Sequence, residues 1–440
     1  MTDPTSSARP SRYLLDRAWV DGAVRDDVLV EVVDGRFARV EPGAATATTA
    51  TAATAGAATR LPGLTLPGLA NCHSHAFHRA LRGRTQRERG TFWTWRHQMY
   101  DLASRLDPDS YFLLARATYR EMVAAGITGV GEFHYLHHQP DGTPYDEPNA
   151  MGQALVAAAE EAGLRICLLD TAYFSSGFGK PPEGPQVRFS DGDAAAWAAR
   201  AGAGPAAIHS VRAVPRDQLA AFHGRAPLHV HLSEQMAENE ACLAAYGVTP
   251  ARLLHEADLL GPETTVVHAT HLTDDDIELL GTTGTNVCIT PTTERDLADG
   301  IGPAERLAAA GCPITLGSDS HAVIDLFEEM RGLEMDERLA TEERGHWTAG
   351  DLLVAATGHG TLGVDDAGAI EIGRRADLVT IDTASPRTSG TGADEHTAAF
   401  AATAADVVHV VADGRVVHTK GDEAEIGREL DEAIGALWPS

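Results

Sequence analysis

From residue 67 onward, short apolar runs alternate with longer stretches of helical spacing, and this alternation limits the folds open to the chain. The runs are GLANCHSH, GITGVGEFHYL, LRICLLDTAYF, AAIHSVRAV, APLHVHLSE, TTVVHATHL, TNVCITPTTE and CPITLGSDS. Between them lie helix-like segments, among them 147–163, 215–223, 235–258, 302–311 and 325–340. Short apolar runs separated by helices read as parallel strands covered on both faces. Eight such units imply an α/β fold, a (β/α)8 TIM-like barrel. Residues 12–41 read instead as short strands broken by Asp-Gly turns. So do GAIEIGRRADLVTID and DVVHVVADGRVVHTKG, after residue 368. The expected division is a barrel at 67–367, with 1–66 and 368–440 forming the two parts of one small β-sandwich domain. The Ala/Thr run at 44–59 is low in complexity and reads as a variable loop.

Charge and cysteine usage remove several function classes. The net charge of −28 disfavours nucleic acid and anionic membranes as partners. It also means that an anionic substrate needs arginines near the site. No run of about 18 apolar residues occurs, so no membrane span is expected. The first residues lack a basic-then-apolar targeting segment. The five cysteines, at 72, 167, 242, 288 and 312, form no CxxC pair. Reduced thiols in a cytoplasmic protein are the simplest account.

The strand ends carry the chemistry. Residues two apart on a strand face the same side, so His73 and His75 both point into the barrel at the end of its first strand. Barrel interiors are normally filled by branched apolar side chains, and imidazoles there need partners. LHVHLSE puts His231 at the end of the fifth strand, with Glu234 three residues later. VVHATHL puts His268 at the end of the sixth, and TLGSDS puts Asp319 at the end of the eighth. Such convergence on one mouth points to a metal. Neutral imidazoles with one carboxylate suit zinc, with iron or manganese also open. A bridged second metal usually needs another anionic ligand, such as a carbamylated lysine. The chain has only Lys180 and Lys420, neither on a barrel strand, so one divalent ion is expected. A zinc with one open position lowers the pKa of its water towards about 7. Asp319 can take that water's proton, His268 can orient the water, and Glu234 can protonate a departing nitrogen. The expected reaction is hydrolysis at an sp2 carbon bonded to nitrogen.

HxH at the first strand, His at the fifth and sixth and Asp at the eighth resemble the amidohydrolase superfamily. GRRADLVTID is similar to that superfamily's return to its β-sandwich, and HxxE resembles its mononuclear deaminase branch. GLANCHSHAFHRALRG with FWTWRHQMY, EFHYLHH, HSVRAV and HLSEQ resembles, more narrowly, the formimidoylglutamate deiminases of histidine degradation. The resemblance implies His73, His75, His231 and Asp319 as metal ligands, and Glu234 and His268 as catalytic groups. It implies Arg96, Tyr135, His209 and Arg212 as holders of the glutamate part, with His78 beside them. It further implies a homodimer and a small substrate with two carboxylates, N-formimidoyl-L-glutamate, converted to N-formyl-L-glutamate and ammonia. Arginine forks suit those carboxylates.

Taken alone, several of these residues have plainer readings. FWTWR can be core packing that ends in a solvated arginine, and Arg212 an ordinary loop residue. His209 can be a satisfied core histidine and Tyr135 a rim packing residue. His134, His137 and His138 read as structural, and Arg82, Arg84, Arg87 and Arg89 as a solvated loop. The Gly/Pro segment 175–191 is either a lid or a surface excursion. Two rival functions stand beside the main one. One is a deaminase of guanine or a related heterocycle, which needs no pair of arginines. The other is an inactive barrel serving as a scaffold, which would be expected to lose its metal ligands.

Overall fold

The computed structural model describes residues 11–44, 58–87 and 89–438, so most of the Ala/Thr run lies outside the described residues. The chain begins with β1 (Ser11–Val20), β2 (Ala23–Val33), β3 (Arg36–Glu41) and β4 (Thr59–Pro67). The barrel strands follow: β5 (Leu69–Ser74), β6 (Ile127–His134), β7 (Arg165–Ala172) and β8 (Ala206–Ile208). Next are β9 (Leu228–Leu232), β10 (Thr264–His268), β11 (Asn286–Ile289) and β12 (Ile314–Leu316). The last strands are β13 (Leu378–Ile381), β14 (Val407–Ala412) and β15 (Arg415–Thr419).

Strands from both ends of the chain form one seven-stranded mixed sheet, in the order β15-β14-β13-β4-β1-β2-β3. Its hairpins turn on Asp21-Gly22, Asp34-Gly35 and Asp413-Gly414, all at positive φ. Such turns match the twist of the flanking strands. The final helix, Glu423–Leu437, leaves this sheet and docks on the barrel helix Pro108–Ala124. Ile426 and Leu430 pack there on Ala117, and Arg120 pairs with Glu425 at 3.0 Å and Glu429 at 2.5 Å. Segment 368–440 therefore serves both the sheet and the barrel.

The other sheet is an eight-stranded parallel run from β5 to β12. It closes on itself where Ser74 bridges Asp319. Asp319 N–H donates to the His73 carbonyl at 3.0 Å, and His75 N–H to the Asp319 carbonyl at 3.3 Å. Gly317 permits this seam, because a Cβ there would stand 2.8 Å from the His73 backbone. β5, β6 and β10 are buried along their whole length, as strands between a filled interior and a helical shell must be.

Two helical expectations change in detail. Segment 235–258 is two helices, Met236–Tyr246 and Pro250–Glu256. Gly247 ends the first in the left-handed region at φ 74°, and Thr249 caps the second, which has proline in its first turn. Segment 215–223 is a 3-10 helix, Arg216–Phe222, rather than an α-helix. Among the described residues, no helix is long and apolar enough to cross a membrane.

Candidate active site

His73, His75, His231 and Asp319 meet inside the mouth of the barrel, with one donor atom from each lying within 4.8 Å of the others. Strand parity accounts for His73 and His75, and the barrel seam brings Asp319 beside them. Asp319 Oδ1 is 3.2 Å from Nε2 of both histidines, and His231 Nε2 is 3.0 Å from His73 Nε2. His75 donates its Nδ1 proton to the Phe133 carbonyl, and His231 donates its own to the His209 carbonyl, both at 2.9 Å. Each of these rings, when neutral, therefore turns a bare Nε2 lone pair to the centre. Burial pushes His73 down to about 3 and His231 well below the usual imidazole range, which keeps both neutral. The bare Nε2 of His75 and the Asp319 carboxylate oxygen, 3.2 Å apart, repel one another unless a cation sits between them and the other donors. The donor set thus fits a metal, and three imidazoles with one carboxylate suit zinc.

His268 and Glu234 stand at the edge of this cluster. His268 Nε2 lies 3.9 Å from Glu234 Oε1 and 3.9 Å from Asp319 Oδ2. Its Nδ1 is 3.4 Å from Glu294 Oε1 and 3.2 Å from Thr290 Oγ1. Burial works against charge on His268, but Glu234, Glu294 and Asp319 outweigh it and hold its pKa up at about 10. Burial pushes the Glu234 carboxyl up, in the direction that suits a proton donor. His268 and Asp319 have positive φ, 70° and 37°, an uncommon conformation for residues with a side chain and one that collects at functional sites.

The same cavity has an empty volume of about 580 Å³ and reaches all five residues expected to touch substrate. His78 Nε2 is 3.1 Å from the Tyr135 hydroxyl, and burial keeps this histidine neutral. Arg96 lies on the helix Phe92–Arg105 and donates from Nε to the Tyr100 hydroxyl at 2.7 Å. Arg212 follows β8, and among the described residues it makes no ion pair within 4.0 Å. Burial opposes the Arg212 charge, but Glu238 and its other neighbours keep the pKa raised. His209 rests edge-on against Tyr135 and Tyr173 at 5.4 and 4.8 Å.

Further functional neighbours escape sequence reasoning. Glu132 on β6 accepts from Ser74 Oγ at 2.8 Å and from Ala76 N–H at 2.7 Å, so it clamps the backbone on both sides of His75. Glu294 orients His268 from the helix Pro291–Leu297. Tyr100, Tyr173 and Phe189 line the cavity. Only Tyr100 leaves a signal, since it follows Arg96 by four residues and shares its helical face. Segment 175–191 supplies Phe189, and its Arg188 is fully buried and donates to the carbonyls of Ala103, Leu106 and His138. Arg82 departs from the solvated-loop reading: it pairs with Glu121 at 2.7 Å and donates to the His321 carbonyl at 2.7 Å. His137 and His138 bond to the Thr171 carbonyl at 2.8 Å and to Asp191 at 3.1 Å, away from the metal cluster.

Comparison with known proteins adds the lineage. A model described as the amidohydrolase family matches residues 64–417. A formimidoylglutamate deiminase of Pseudomonas aeruginosa is 35% identical over 340 residues, 71% of this chain and 75% of the relative. A 5-methylthioadenosine/S-adenosylhomocysteine deaminase of Natronomonas pharaonis is 29% identical over 364 residues, 79% of this chain and 80% of the relative. Among solved structures, an amidohydrolase from Brucella melitensis superposes with a TM-score of 0.86 at 29% identity, covering 97% of this chain and 99% of its own.

Proposed function

The chain belongs to the amidohydrolase family, and from that premise we propose that it hydrolyses N-formimidoyl-L-glutamate to N-formyl-L-glutamate and ammonia, a step of histidine degradation. The broader class is a metal-dependent hydrolytic deaminase that cleaves a C–N bond. The observation that carries the substrate is one cavity joining the metal-ligand cluster to two guanidinium groups, Arg96 and Arg212. A linear amidine with two carboxylates has the matching charge pattern.

In this reading His73, His75, His231 and Asp319 hold one divalent ion, zinc by its set of three imidazoles and one carboxylate. Such an ion supplies Lewis acidity and a water whose pKa is lowered to about 7. Asp319 accepts the proton of the attacking water, and His268 holds that water towards the formimidoyl carbon. The water oxygen bonds to this carbon. The formimidoyl group is an amidinium at neutral pH, so its terminal nitrogen is an NH2 in the adduct. Glu234 adds the third proton, and the C–N bond breaks with loss of ammonia. The adduct hydroxyl gives its proton back to Glu234 as the formyl carbonyl forms. Arg96 and Arg212 grip the carboxylates, with His78, Tyr135 and His209 lining the space between. A cytoplasmic homodimer completes the proposal. All five cysteines are unpaired and buried, which suits a reducing compartment.

The test is ammonia release from N-formimidoyl-L-glutamate before and after dialysis against a chelator, with zinc added back. The expected result is ammonia and N-formyl-L-glutamate in equal amounts, lost on chelation and restored by zinc. Ammonia from guanine or 5-methylthioadenosine, with none from N-formimidoyl-L-glutamate, would replace this reading with a heterocycle deaminase. Sedimentation or light scattering of the purified protein checks the homodimer, and a monomer at micromolar concentration contradicts it.

A further inference from the structure

Gln186 sits on the short 3-10 helix Gly184–Phe189 and is almost fully enclosed, at 5% exposure. Its side-chain oxygen accepts from the Glu183 backbone N–H at 3.1 Å. That bond fixes which way the amide faces, because a backbone N–H can only donate. The amide nitrogen is thereby turned to two phenols. It donates to the Tyr100 oxygen at 3.0 Å and to the Tyr173 oxygen at 2.9 Å. Tyr100 also accepts from Arg96 Nε, at 2.7 Å.

A phenol oxygen offers two lone pairs and one proton. Tyr100 spends both lone pairs on Gln186 and Arg96, so its proton must point elsewhere. Tyr173 accepts from Gln186 and cannot donate back to a nitrogen that is itself a donor. The two phenols also hydrogen-bond to each other, which engages the Tyr100 proton, and both rings line the cavity that Arg96 and Arg212 share. The Tyr173 proton is therefore held towards the cavity without a protein acceptor. A donor left in that state costs free energy unless a ligand or water accepts from it, and an anionic oxygen accepts most strongly. Burial also pushes the Tyr173 phenol up to about 12, so it keeps its proton at neutral pH.

We propose that Tyr100 and Tyr173, oriented by Gln186, form a subsite that donates a phenol hydrogen bond to one carboxylate of a dicarboxylate ligand. This deepens the proposed function and rests on it for the identity of the substrate. Arg96 and Arg212 supply the attraction, and the paired phenols supply the geometry that tells a carboxylate from another anion. The subsite joins three separate pieces of chain: the helix Phe92–Arg105, the residues after β7, and segment 175–191. It gives that segment a binding role.

Calorimetric titration with glutarate tests the proposal on the wild-type protein and on Tyr173→Phe and Gln186→Glu. Both substitutions keep the side-chain shape, and melting curves report whether each variant folds. The wild type should bind glutarate. Tyr173→Phe, which loses one donor, should bind about tenfold more weakly. Gln186→Glu should bind more weakly still, because its carboxylate captures the free hydroxyl proton and adds a like charge. A wild type that ignores glutarate, or folded variants that bind it as tightly as wild type, overturns the subsite. Ammonia release from N-formimidoyl-L-glutamate is scored separately. Turnover by the wild type with glutarate binding unchanged in both variants removes the subsite alone. No turnover, with glutarate binding lost as expected, removes the substrate assignment and leaves the subsite standing.

Discussion

His73, His75, His231 and Asp319 stand on or just past strands that are hydrogen-bonded to one another, whereas Arg96, Tyr100, Gln186 and Arg212 stand on a helix and loops outside the barrel sheet. The first group is locked by the barrel seam and by carbonyls that fix the ring orientations. In the second, Gln186 reaches from a distant segment to Tyr100, which also accepts from Arg96 on its own helix. The rigid pole suits chemistry that must not move. The other pole lies where substitutions can change the ligand without disturbing the reaction.

The largest expected effect separates the poles outright. Asp319→Ala should abolish metal retention and reduce turnover about 10³-fold or more, beyond the 10–100-fold typical of a partner behind a ligand. Metal analysis beside an ammonia assay reads both, and retained metal would move Asp319 out of the ligand set. Next, Glu234→Gln should cut kcat by about 10²–10⁴-fold with metal content intact. Loss of metal in that variant would merge its role with the ligands. At the other pole, Arg212→Ala should raise KM by about 10–100-fold, in line with a hydrogen bond to a charged group, and should leave metal content alone. A fall in kcat with unchanged KM would place Arg212 with the reacting groups instead.

The smallest effect concerns Glu238, four residues after Glu234 and in the first turn of the helix Met236–Tyr246. Burial pushes its carboxyl up to about 7, while Arg212 pulls it down and Glu234 pushes it up. Below about 7 it is neutral, and above that it places a negative charge facing Arg212. KM for a dianionic substrate should therefore rise two- to fivefold, an order-of-magnitude figure for partial screening of one charge, between about pH 6 and pH 8. Glu238→Gln should flatten that rise, and an identical slope in the variant would assign it to another group.

The same division explains what the sequence discloses. The barrel strands are legible because covered parallel strands read as short apolar runs, and the cluster is legible because strand parity fixes where His73 and His75 point. The mouth is also where one residue from each of several strands converges, so His231, His268 and Asp319 can be read together. Tyr173, Gln186 and Phe189 are not legible, because their approach to the cavity depends on how segment 175–191 folds back, which no periodicity encodes. Glu132 and Glu294 are hidden for another reason: a buried carboxylate on a strand or short helix gives no sign of which side chain it braces. The split of 235–258 at Gly247 was available from Gly-Val-Thr-Pro, a helix stop followed by a helix start.

The account rests on a metal pole and a carboxylate pole serving one small, linear substrate. The most direct measurement compares kcat/KM for N-formimidoyl-L-glutamate and for 5-methylthioadenosine on the same metal-loaded protein. The account predicts that N-formimidoyl-L-glutamate is favoured by at least about 10³-fold, the scale of two lost charge-assisted contacts. Equal values, or a preference for the nucleoside, would contradict it.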